Sequence, residues 1–309
     1  MNKVFFGDCR ASMRQLIADG VKVQVCVTSP PYYGLRDYGH DGQLGLEKTP
    51  EEYVSNMVEV FRLVRELLAD DGTLWLNLGD SYYNYRPGKG QALVKQSVSN
   101  NKQDLPDTCA RRGNKFDGLK EKDLIGIPWM VAFALRADGW YLRSDIIWHK
   151  PNPMPESVTD RPTKAHEYIF LMSKSQKYYY DAEAIKEPAK NWGARDRSQM
   201  RGGTTDPKLK HHGLSDGDCE ASGRNKRSVW TVPTKSYSGA HFATYPPELI
   251  IPCILAGSRP GDIVFDPFFG SGTTGETAER LGRKWIGCEL NQQYQELQKK
   301  RTSQVGMIF

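Results

Sequence analysis

The sequence predicts an α/β fold, a doubly wound, mostly parallel sheet of seven strands with helices on both faces. Three observations predict it. Short apolar, β-branched runs alternate with helical stretches along the chain. A glycine loop, Asp266-Pro267-Phe268-Phe269-Gly270-Ser271-Gly272-Thr273, lies between a strand and a helix, as in Rossmann-like nucleoside-binding folds. A second loop, Ser29-Pro30-Pro31-Tyr32, leaves a strand near the N-terminus, so the order is permuted and the glycine loop is C-terminal.

The elements follow in chain order. Val4–Phe6 reads as a strand, Met13–Ala18 as a short helix and Val23–Val27 as a second strand. A helix opens at Thr49, which suits an N-cap, with Pro50 in the first turn and Glu52 completing a capping box. Val54, Met57, Phe61, Val64 and Leu68 give it one apolar face, and Asp71-Gly72 ends it. Thr73–Leu78 is a strand, about Pro128 to Arg136 a helix, and Ser144–Trp148 and Tyr168–Met172 are strands. A helix from about Pro247 to Leu255 contains Pro252, which should distort it. Strand Ile263–Phe265, helix Thr274–Leu281, strand Lys284–Gly287 and helix Gln292–Lys300 complete the chain. With Ile263–Phe265 central, Lys284–Gly287 and then Val4–Phe6 lie on one side and Val23–Val27 on the other. Ser29 and Gly270 then sit on neighbouring strand ends, where such sheets bind ligands.

The 309 residues, 39% of them hydrophobic, are read as one catalytic domain over 1–309 with two basic excursions. No apolar run approaches the roughly 20 residues of a membrane span. The N-terminus reads as a strand and not a signal peptide. None of the six cysteines forms a C-x-x-C pair, so neither a zinc site nor a disulfide framework is expected. A cytoplasmic protein without a metal follows. The net charge is +5, but its distribution is uneven. Residues 82–123 carry nine Lys/Arg against five Asp/Glu, and residues 186–235 carry eleven against six. Both stretches are rich in Gly, Ser and Asn, which suits solvated loops or arms that neutralise phosphates. Arg195, Arg197 and Arg201 beside Trp192, and Arg224, Lys226 and Arg227 beside Trp230, suit the second reading and are candidate DNA contacts.

The two loops carry the chemistry. Gly270 and Gly272 permit a tight turn and close approach to a ligand, and Glu289 ends the next strand 19 residues after Gly270. That spacing suits an acid on ribose hydroxyls, which a nicotinamide oxidoreductase would share. The other loop suits a flat base bearing an amine. Such an amine is a poor nucleophile because its lone pair is delocalised into the ring. Ser29 Oγ and the Pro30 carbonyl are acceptors that shift density toward nitrogen, the prolines stiffen the loop, and Tyr32 or Tyr33 offers a stacking face. A duplex base must leave the helix to arrive there.

The chain resembles the amino-methylating DNA methyltransferases in which the catalytic loop precedes the cofactor loop, the β group. Their D/N/S-P-P-Y tetrad falls on Ser29, Pro30, Pro31 and Tyr32. Their F-x-G-x-G signature falls on Phe268, Gly270 and Gly272, with Asp266 before it and Thr273 after it. The acidic ribose contact falls on Glu289, the acid near the cofactor adenine on Asp8, and the pre-cofactor segment on His241-Phe242-Ala243-Thr244-Tyr245-Pro246. The stretch from Arg161-Pro162 to His166-Glu167-Tyr168-Ile169-Phe170 resembles a segment that walls the target-base pocket.

The resemblance implies S-adenosylmethionine as methyl donor and duplex DNA as partner. It leaves open a homodimer and a cognate restriction endonuclease. It places target recognition in residues 182–235. Serine at the first tetrad position resembles the N4-cytosine enzymes, with N6-adenine the alternative and a non-catalytic DNA-binding regulator, or an RNA or protein methyltransferase, more distant. The nitrogen itself is the nucleophile, so no covalent enzyme intermediate is needed. No cysteine lies in a Pro-Cys context, which disfavours attack at ring C5. His149 and His166 are candidate bases, though structural roles suit both.

Overall fold

The computed structural model describes residues 2–35, 39–40, 42–83, 118–188, 223–235 and 245–303. The strands are β1 Lys3–Phe6, β2 Val23–Thr28, β3 Leu68–Leu78, β4 Tyr141–His149, β5 His166–Ser173, β6 Val229–Thr231, β7 Ile263–Asp266 and β8 Lys284–Glu289. The helices are α1 Cys9–Ala18, α2 Pro50–Leu67, α3 Ile127–Ala137, α4 Pro247–Gly257, α5 Thr273–Arg280 and α6 Gln295–Ser303.

All eight strands form one sheet in the order β1-β8-β7-β2-β3-β5-β4-β6. The β1-β8-β7-β2 half is parallel and arranged as expected from the glycine loop. β5 runs antiparallel to both of its neighbours. The expected seven strands become eight because Val229–Thr231 pairs with Ile147–His149. Three residues inside a polar, basic stretch show no period. What fixes them is Trp230, which is 6% exposed and donates its indole N–H to Arg227 O at 2.7 Å.

Side-chain alternation divides the core. Cys26, Leu74, Leu76, Phe265 and Ile286 face α1, α2 and α3. Val25, Val27, Trp75, Val264 and Trp285 face α4 and α5. Helix α1 begins at Cys9, ahead of the expected Met13, because the Asp8 carboxylate accepts the Arg10 N–H at 2.8 Å and caps it. At α2, Thr49 Oγ1 accepts the Glu52 N–H, while Glu52 reaches back to the Lys48 N–H and not to that of Thr49. Helix α2 ends at Leu67, before the expected Asp71-Gly72, because Leu68 already pairs with Val23.

Both basic excursions leave from closed necks. Tyr82 bridges Leu124, and the Tyr83 N–H donates to Asp123 O at 2.8 Å. Glu187 and Arg224 exchange two backbone hydrogen bonds of 2.9 Å. No described helix is long and apolar enough to cross a membrane.

The glycine loop is anchored by Phe269, which stacks on Trp285 at 5.0 Å between centroids. A Cβ at Gly287 would lie 2.3 Å from Phe269 Cδ2, and one at Gly275 2.6 Å from its Cζ. The ring thus fills space that two glycines leave. Gly287→Ala is expected to destabilise the protein by roughly 1–3 kcal/mol through overpacking. Urea denaturation checks this; unchanged stability contradicts the anchoring.

Candidate active site

Strand ends deliver the functional groups. β2 ends at Thr28, so Ser29 emerges at the carboxyl edge of the sheet, and β7 ends at Asp266 beside it. β8 ends at Glu289, paired in register with Phe6, two residues before Asp8. The antiparallel β5 brings Glu167 to the same edge from its start, and Asn77 arrives near the end of β3.

A cavity of about 320 Å³ opens there. Its walls include Ser29 to Tyr32 from one loop and Asp266 to Ser271 with Thr273 from the other. The loops are joined directly: Thr28 Oγ1 donates to Asp266 Oδ1 at 2.6 Å. Two stretches 238 residues apart thus frame one cleft.

The chain belongs to the N6/N4 DNA methylase family. The family profile, described as DNA methylase, matches residues 23–300. The chain is 48% identical over 299 residues to the Type II methyltransferase M.SmaI of Serratia marcescens, covering 97% of this chain and 90% of that protein. It is 46% identical over 294 residues to M.Cfr9I of Citrobacter freundii, covering 95% and 85%. Among solved structures, the cytosine-N4-specific PvuII DNA methyltransferase matches with a TM-score of 0.61 at 18% identity, covering 99% of this chain and 90% of that one. An M1.HpyAVI–SAM complex matches with a TM-score of 0.54 at 17% identity, covering 98% and 99%. These two likenesses are of fold.

Within this N6/N4 methylase, Asp266 is 1% exposed and accepts four bonds. Thr28 and the Phe268 N–H donate to Oδ1; Thr274 Oγ1, at 2.5 Å, and Tyr245 O–H, at 3.1 Å, donate to Oδ2. Burial raises its pKa against the pull of these bonds. Asp266 therefore ties the two loops and the pre-cofactor segment together.

Glu289 is 9% exposed; Oε2 accepts the Gly270 N–H at 2.7 Å and Oε1 the Asn291 N–H at 2.8 Å. Burial lifts its pKa to about 7. Gly270 takes a left-handed φ of 53°, and a Cβ there would meet nothing nearer than Phe268 O at 3.9 Å. Gly272, with φ 88°, caps α5 and is not in the cavity wall. Thr273 Oγ1 is buried and without a partner, and Thr273 does line the cavity. Phe268 and Asp8 border it too. The Asp8 carboxyl is engaged by Arg10, whose hydrogen bonds hold it below the usual carboxylate range.

In the tetrad, Ser29 Oγ donates to Tyr32 Oη at 3.3 Å, and Tyr32 donates to Glu167 Oε2 at 2.7 Å. The Tyr32 ring borders the cavity and lies so close to Gly79 that a Cβ there would be 2.5 Å from Cε2. The Pro31 carbonyl accepts Tyr53 O–H at 2.9 Å, and Pro30 also lines the cavity. His149 meets Thr231 and His166 meets Tyr168, and neither lines the cavity.

The candidate DNA contacts divide. Arg224 and Arg227 both pair with Glu187, at 3.1 and 3.0 Å, so they close the neck of the excursion instead of presenting free charge. Lys226 lies 5.0 Å from the centre of the Trp230 ring. Arg195, Arg197, Arg201, His241 and Phe242 lie outside the described residues. Sequence reasoning missed Lys150 and Asn77, which also line the cavity.

Proposed function

We propose that the protein methylates the exocyclic N4 of cytosine in duplex DNA at a specific site, with S-adenosylmethionine as donor. The observation that carries this reading is a serine hydroxyl at the first tetrad position, in one cleft with the Gly270–Glu289 loop. Its proton is directed to Tyr32, which leaves lone pairs for the target amine's N–H groups. The Pro30 carbonyl supplies a second acceptor.

The cleft fits the donor. Glu289 suits ribose hydroxyls, Gly270 leaves room for close approach, and the unpartnered Thr273 hydroxyl awaits a polar group. When bound, the donor supplies an electrophilic methyl carbon on a sulfonium. Mapping modified bases genome-wide after expression in a methylation-free host tests the reading. N4-methylcytosine at one sequence is expected; N6-methyladenine overturns the choice of base.

Glu289 makes donor binding pH-dependent. Ribose hydroxyls donate to the carboxylate, so binding draws the pKa down from about 7 and releases a proton. Affinity is expected to weaken by up to about tenfold per unit as pH falls below about 7, levelling off once the lower pKa of the bound state is passed, measured by calorimetry in two buffers. The stability sign is opposite. A folded pKa above the usual 4.5 stabilises the donor-free protein at acid pH, and this contribution is lost as pH rises through about 7. Glu289→Gln should therefore remove a fall in melting temperature between these values.

A further inference from the structure

Glu167 stands 135 residues beyond the tetrad tyrosine, yet its Oε2 accepts the Tyr32 O–H at 2.7 Å. Lys150, just after β4, pairs with the other oxygen. The two side chains are 18% and 15% exposed. Lys150 also lies 4.3 Å from the centre of the Trp148 ring. From β3, Asn77 Nδ2 donates to Glu167 Oε2 at 3.3 Å and to Tyr168 O at 3.1 Å. The carboxylate is thus held from β3 and from the segments that follow β2 and β4, and Lys150 supplies its counter-charge.

These bonds have a direction. A hydroxyl has one proton to give, and a carboxylate has none. Two acceptors face the Tyr32 proton, Glu167 Oε2 at 2.7 Å and Asn77 Oδ1 at 3.1 Å; the nearer, charged carboxylate takes it, and Tyr32 turns its oxygen to Ser29 as an acceptor. Ser29 then points its own proton at Tyr32, and its lone pairs stay available. An amine brought to Ser29 meets an acceptor. Without the carboxylate, only the more distant, neutral Asn77 Oδ1 is left to hold the Tyr32 proton, so the chain of bonds can reverse and Ser29 can donate toward the amine nitrogen. That would withdraw the electron pair on which attack depends.

We propose that Glu167, held by Lys150, is a positioning residue that sets the direction of the Ser29–Tyr32–Glu167 chain and keeps Ser29 an acceptor toward the target amine. This rests on the reading of Ser29 given above. A Gln at 167 keeps the shape but can offer an N–H to Tyr32 and reverse the chain. Tyr32→Phe cuts the link and leaves the Glu167–Lys150 pair in place.

The test measures single-turnover methylation of duplex DNA at saturating donor, with calorimetric donor affinity and thermal denaturation alongside. Glu167→Gln and Tyr32→Phe should each slow turnover by about tenfold or more, less than loss of Ser29 itself. Donor affinity should be unchanged in both. In a Ser29→Ala background, Glu167→Gln should change the rate by less than about twofold, because it acts through Ser29. The same slowing with and without Ser29 overturns the proposal and assigns Glu167 a direct contact with DNA or a purely structural role. Wild-type rates in Tyr32→Phe overturn it as well, even should the Glu167 variant not fold. Full activity in Ser29→Ala alone instead removes the reading of Ser29, before Glu167 is changed.

Discussion

Ser29→Ala slows methyl transfer by about a hundredfold or more, the scale on which one lost catalytic hydrogen bond is felt. The side chain is small, and its only described bond is to Tyr32. The loop that carries it is held by other groups: Tyr53 donates to Pro31 O, and Thr28 is fixed to Asp266. Folding and donor affinity should therefore be unchanged, so the loss falls on turnover. Tritiated donor and duplex substrate under single-turnover conditions measure it. Full activity would show that amine polarisation comes from the Pro30 carbonyl alone.

Asp266→Ala has the second large effect, and it falls on the fold as well as on turnover. The carboxylate accepts from Thr28, Thr274, Tyr245 and the Phe268 N–H, all at a site 1% exposed. Its removal leaves donors without an acceptor, each costing about 1–3 kcal/mol when buried. Tyr245 and Thr274 already touch at 2.5 Å and can bond to each other, so the net loss is on the order of 3 kcal/mol. Donor affinity and rate should fall together, because one group holds the approach to Ser29, the glycine loop and Tyr245. Asp266→Asn keeps the shape and an acceptor oxygen, so it should recover much of the stability. Chemical denaturation of both variants checks this; an alanine variant as stable as wild type would contradict the hub.

Much of this site is legible in the primary structure. Glycines with positive φ after a short apolar strand, and an acid at the end of the next strand, are local signals. The structure joins the two by a hydrogen bond from the Gly270 N–H to Glu289 that spans only 19 residues. The tetrad was legible for the same reason. What escaped depends on pairing between distant strands. Glu167 stands in the stretch expected to wall a pocket, and it lines the cavity. Its bond to Tyr32, however, exists only because β5 runs antiparallel to β3, and nothing near either residue encodes that register. Strand β6 is too short to carry a period. Arg224 and Arg227 look like free cations until the excursion closes and brings Glu187, 37 and 40 residues away, beside them. Phe268 fits the family signature, but Phe269 is the ring wedged between Gly275 and Gly287.

The closed necks have an evolutionary consequence. Because Glu187 bonds Arg224 through backbone and side chain alike, what lies between them begins and ends at a single point on the framework. Closing a segment at its two ends costs little more as it lengthens, about 0.6 kcal/mol for each doubling. A graft taken from a relative between these two residues would therefore leave the sheet and its cleft untouched. On the proposal that residues 182–235 read the target, exchanging this cassette would change the target sequence and leave the chemistry in place.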